Sequence, residues 1–234
     1  MNISARFLRF GAVCALLTAL TTVVVHWVPD LWANVTTFEQ QLELRLNPIY
    51  ITRLWAVILH CLLVIVSMFA LGVTKFRNAP ALITFGFLSY VIFAFTEILR
   101  TSLGLFALNR TWRTGYAAAT DETTREALRA TIGAFPGINS ALFFIFFLAF
   151  TLGTLCYGLA FLRTEGWTAP IALLFLFWAA TGVPALIDTI SHQELFGRYF
   201  EWVGYYFLPL ARVFVGVWLW KNADILAIEM NRRT

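Results

Sequence analysis

Charge is what this chain has least of. Only 13% of its 234 residues are Asp, Glu, Lys or Arg, against 60% hydrophobic residues, and the mean hydropathy is +0.75. A soluble domain carries roughly twice that charge fraction, so the polar surface here is too small to cover a water-facing core. The three cysteines form no CxxC or CxxCH, which removes zinc ribbons and c-type haem attachment. HExxH, GxSxG, a P-loop and a GxGxxG after a strand are missing as well. No lysine lies within an apolar run, which rules out a retinal Schiff base.

Long apolar runs are plentiful. Six windows approach or exceed the ~20 residues that cross a bilayer, at about 7–27, 48–74, 80–108, 136–162, 170–190 and 199–220. The expectation is an all-α membrane protein, one polytopic domain over 1–234 built as a six-transmembrane-helix bundle. Four windows begin at a proline, where the missing N–H costs a helix least. Arg6 and Arg9 precede the first run, which reads as an uncleaved signal anchor.

The tight turns "TKFRNAP" and "LRTEGWTAP" are basic, which places them and both termini on the cytoplasmic side of the cell membrane. The net charge of +4 thus reads as topology rather than a nucleic-acid footprint. Two longer loops fall outside and predict short extracytoplasmic surface helices. One is capped by Thr36 with Glu39; the other starts at Thr120 or Asp121 and stops at Gly133. Asn34 and Asn109 stand in N-x-T sequons on that side. Pro48 to Pro80 and Pro136 to Pro170 are 32 and 34 residues apart, a pattern that suggests repeated helical hairpins. Trp27, Trp32, Trp167, Trp202 and Trp220 sit at run ends, where an aromatic belt belongs.

Depth along each run, at ~1.5 Å per residue, puts nearly every ionisable group in the outer half. Arg53 and His60 share a helix face, as do Glu97 and Arg100 in "FAFTEILRTS", Asp188 and His192, and Glu201, Tyr205 and Arg212. An ionisable side chain inside a membrane points to function, although arginines near helix ends also snorkel or form structural pairs. The expected site is an outward-facing polar pocket of Arg53, His60, Glu97, Arg100, Asp188, Tyr205 and Arg212. The arginines would hold an anionic, small or amphiphilic ligand, for transport or sensing, while Glu97 and Asp188 balance them when the site is empty. Pairing of Glu97 and Arg100 with groups on other helices is expected.

Two other classes stand beside this one. His60, Asp188 and His192 are metal-ligand types, which keeps a membrane-embedded, lipid-directed hydrolase in view, although chance proximity outweighs a metal site. A structural accessory subunit is the third. No cofactor is expected, and the partners are membrane lipid, a lipid-like or small-molecule ligand and further copies of the chain, with no nucleic acid.

The stretches "GLAFLRTEGWTAP" (158–170), Gly182 with Asp188, "PLARVFVGVWLW" (209–220) and "YITRLW" (50–55) carry a likeness. In these the chain resembles an uncharacterised bacterial membrane family, the domain of unknown function family 4386. The resemblance implies a six-helix prokaryotic membrane protein. Where that family tends to an acid in the last helix, this chain has Arg212.

Overall fold

The computed structural model describes residues 3–32, 34–162, 168–191, 199 and 202–232. Among them there is no β-strand. Six helical stretches are long and apolar enough to cross a membrane, so the molecule is an all-α, multi-pass membrane protein.

Helix α1 (Ala5–Trp27) is capped by Ser4, whose Oγ accepts the Phe7 N–H, and it runs on into a 3-10 turn, Val28–Trp32. Helix α2 (Phe38–Glu43) is a short surface helix. Its capping box is Thr37 with Gln40, one residue later than the Thr36/Glu39 expectation. Helix α3 (Pro48–Val73) starts at its proline, with Asn47 Oδ1 accepting the Ile49 and Tyr50 N–H groups. Helix α4 (Pro80–Ser102) does not end near Leu108. It continues as an 11-residue π-helix, Leu103–Arg113, and then as α5 (Thr114–Ala118).

The second expected surface helix is not a separate element. Asp121 caps it, its Oδ1 accepting the Thr124 N–H at 2.8 Å, but Gly133 stops nothing. Helix α6 (Glu122–Leu162) runs unbroken for 41 residues through Gly133 and Pro136. At ~1.5 Å per residue that is about 62 Å, twice the hydrocarbon thickness. Pro136 therefore opens no helix, and the hairpin repeat loses one of its four matching starts. Helix α7 (Ala169–Ser191) and helix α8 (Leu208–Arg232), the latter preceded by a π-turn at Val203–Phe207, complete the bundle.

The helices pack in the order α8, α1, α3, α4, α6, α7, and large side chains bridge α7 to α8. One knot of contacts involves Tyr157 on α6. Its hydroxyl donates to the Met68 carbonyl on α3 at 2.9 Å, and its ring lies where a Cβ at Gly72 or Gly86 would stand. Small residues let membrane helices approach this closely when lipid supplies no hydrophobic drive between them. Phe93, Phe150, Phe175 and Trp178 extend the aromatic core around it.

At one end of the bundle the Arg9–Asp224 ion pair (2.7 Å) and the Arg77 donation to the Met230 carbonyl (2.9 Å) tie the chain's two terminal helices and the α3–α4 turn together. This is the terminal end. At the other, α2, the π-helix, α5 and the start of α6 build a headpiece with its own small core of Leu42, Leu108 and Ile132, flanked by Phe38, Trp112, Tyr116 and Phe135. Trp27, Trp202 and Trp220 are about half exposed, as a belt at the two interfaces requires.

Candidate functional site

The inner face of α3 is the spine of the site. Tyr50, Arg53, Val57, Cys61 and Val64 follow one another at helical spacing, and the last three are buried. Arginines from three other segments arrive along this line.

Nearest the headpiece is Arg113, at the end of the π-helix. It is 6% exposed. Its Nη1 donates to Asn109 Oδ1 at 2.8 Å, and the Asn109 amide is oriented by its own Nδ2 donating to the Gly104 carbonyl. Arg113 also reaches Tyr50 and lies within electrostatic range of Arg45, while its Nε has no hydrogen-bond partner. Tyr50 in turn is in range of Arg53 and Arg100.

Arg53 donates from Nε and Nη2 to the Val25 carbonyl on α1, at 3.3 and 3.1 Å. One turn back along α1, Thr21 Oγ1 meets His60 Nδ1 at 2.8 Å. Glu97, buried, is gripped by Arg100 of its own helix: Nε to Oε2 at 2.7 Å, with Nη2 on Oε1. The expected pairing between helices is thus met only by Arg100, whose Nη1 donates to Asn139 Oδ1 on α6 at 3.0 Å and whose guanidinium faces the Phe143 ring.

Deepest is Arg212 on α8, 2% exposed, stacked 4.6 Å from the centroid of the Trp178 ring. It lies in electrostatic range of His60 and Tyr90, and Cys61 is in range of both Arg212 and the Glu97–Arg100 pair. Its Nη1 has no partner. Neither has Trp178 Nε1, nor Thr151 Oγ1, which packs against Gly182 one turn along α7 from Trp178. Nearby, Tyr90 and Thr154 share a hydrogen bond of 2.9 Å. An unpartnered buried donor is costly, and here three lie in one neighbourhood.

Two sequence candidates lie elsewhere. Tyr205 does not join the arginines: its hydroxyl donates to Asp30 Oδ1 at 2.7 Å and its carbonyl accepts from Trp27 Nε1. Asp188 is half-buried near the end of α7. His192 and Glu201 lie outside the described residues. Among the described residues, no three His, Cys, Asp or Glu side chains gather at metal-binding distance, so His60 and Asp188 share no such cluster. Cys14, Cys61 and Cys156 are free and buried. Asn109 is buried in the π-helix, whereas Asn34 lies exposed in a turn, so of the two sequons only the latter is accessible.

Sequence reasoning missed Arg113. "LNRTWRT" reads as a polar loop, but Asn109, Thr111 and Thr114 each bond a carbonyl five residues away, at Gly104, Phe106 and Asn109. The spacing of five between Asn109 and Thr114 was the available signal.

Among the described residues the charge balance is lopsided: Arg53, Arg100, Arg113 and Arg212 line the interior, Arg100 is paired with Glu97, and none of Arg53, Arg113 and Arg212 has an ion pair. Such an arrangement is built to receive negative charge. Comparison with known protein families, curated proteins and solved structures finds no match to this chain.

Proposed function

We propose that the protein binds an anionic small or amphiphilic ligand inside the helix bundle, for transport or sensing. The observation that carries this reading is the run of interior arginines from Arg113 by way of Arg53 and Arg100 to the orphaned Nη1 of Arg212, in which, among the described residues, only Arg100 has a carboxylate partner. Isolated buried cations are expensive in a membrane, and a bound anion supplies the missing counter-charge. The stepped placement along α3 also suits an anion handed from one guanidinium to the next. The basic turns at the terminal end support a cytoplasmic placement of both termini, so the headpiece and the Arg113 step face outward.

The test is native mass spectrometry of the gently extracted full chain beside Arg212→Gln and Arg53→Gln. An anionic small molecule or lipid retained by the wild type and lost from either folded variant is the expected result. A bare wild-type protein, or an adduct indifferent both to Arg212→Gln and to Arg53→Gln, overturns the reading.

A further inference from the structure

The arginines nearest the headpiece adjoin an apolar cleft. It encloses about 260 Å³ between the end of α1 and the start of α3, and is lined by Val24, Val28, Pro48, Ile49, Thr52 and Arg53. Arg53 therefore belongs to two surroundings at once: its guanidinium to the arginine line, its flank to the cleft. It lies five residues along α3 from Pro48, about 8 Å along the helix.

Around Tyr50 the cationic groups are dense. Arg53, Arg100 and Arg113 are in its electrostatic range, and Arg45 is in range of Arg113. The N-terminus of α3 adds its positive dipole end. Glu97 answers one of these charges. Arg113, buried more than nine-tenths, keeps Nε unpaired, and Asn109 holds its Nη1 in place. A carboxylate brings one charge and two oxygens, which leaves this group under-neutralised. A phosphomonoester brings a charge of about −1.5 to −2 and three acceptor oxygens, and the guanidinium fork matches its geometry. Basic pockets between membrane helices bind phosphorylated headgroups on the same logic.

We infer that the ligand is a phosphomonoester amphiphile, whose phosphate sits among Tyr50, Arg53, Arg100 and Arg113 and whose chain lies in the cleft between α1 and α3. The inference rests on the proposed anion-binding function and narrows it to one ligand class. Val24, Val28 and Ile49 receive the first methylenes, and Arg53 marks the boundary between head and tail.

The test reconstitutes the full chain into phosphatidylcholine vesicles doped separately with phosphatidate, phosphatidylglycerol or oleate, and reads lipid retention by native mass spectrometry. Inorganic phosphate is titrated against the undoped sample. Phosphatidate is expected to be retained about tenfold over the singly charged lipids, and Arg113→Gln to lower that retention about tenfold. Val28→Trp fills the cleft while leaving every arginine in the chain, so it lowers phosphatidate retention in a folded protein. Arg6→Gln, exposed at the terminal end, leaves retention unchanged.

Equal retention of the three lipids overturns the inference, as does a folded Arg113→Gln that still selects phosphatidate. Inorganic phosphate bound as tightly as phosphatidate overturns the role of the cleft. If a native anion is lost in Arg212→Gln while phosphatidate shows no preference, the general function stands and the ligand class falls. If the wild type retains no anion at all, both fall.

Discussion

The indole of Trp27 donates to the Tyr205 carbonyl at 3.3 Å, and that carbonyl is available because Pro209, four residues on, has no N–H to give it. Proline opens the helix, the π-turn at Val203–Phe207 widens it, and α1 supplies the replacement donor. Trp27→Phe should therefore destabilise the protein by about 1 kcal/mol. Pro209→Ala restores the helical donor, and in that background Trp27→Phe should cost less. Unfolding in detergent of the four proteins of this double-mutant cycle measures the coupling.

Glu97 and Arg100 answer each other inside the membrane. Glu97→Gln leaves the Arg100 guanidinium without its counter-charge, a change of the kind that costs about 3–5 kcal/mol for a buried pair. The double variant Glu97→Gln/Arg100→Gln should recover most of that loss in thermal unfolding. In the presence of an anionic ligand the sign reverses: Glu97→Gln removes the acid that competes for the arginines, so ligand retention should rise.

Among the described residues Arg212 has no carboxylate partner to lose. Arg212→Met keeps the contact with Trp178 and removes a desolvated charge. The ligand-free variant should unfold at the wild-type temperature or above it, as replacing buried charge by packing often does. A large drop in Tm without ligand would show that Arg212 is held for structure.

The side of the membrane is open to direct test. Cys14, Cys61 and Cys156 are buried, so the wild type gives a low background with a membrane-impermeant maleimide. Thr123→Cys, exposed near the start of α6, should be labelled on intact cells; Asp224→Cys, exposed at the terminal end, should be labelled only after lysis. The opposite pattern inverts the molecule.

The membrane helices were legible because hydropathy and proline placement act locally. Pro48 and Pro80 do open their helices, with Asn47 capping the first. Pro136 did not, for a reason no local pattern carries. A proline inside a helix costs about 3 kcal/mol, and here burial of Ile132 and Phe135 against Leu108 and Trp112 before it, and the Arg100–Asn139 bond after it, hold the helix from elements far off in sequence. The facing of the polar side chains was legible: Arg53, Glu97, Arg100 and Arg212 do turn inward. Tyr205 shared their spacing, yet the π-turn re-aims it toward Asp30, and no 3.6-residue template anticipates a five-residue step. Arg113 was hidden by the same geometry.

Helix α6 has a mechanical consequence. From Ala149, where its burial becomes continuous with the bundle core, to Glu122 it reaches about 40 Å. It is thus a lever whose far end shifts about 0.7 Å for each degree of tilt at the core. Pro136 sits partway along this arm, where the missing N–H withdraws one rung of the hydrogen-bond ladder. The headpiece packs along the part of this arm that precedes Pro136, through Trp112 on Phe135, with Phe38 on Tyr116 beside it.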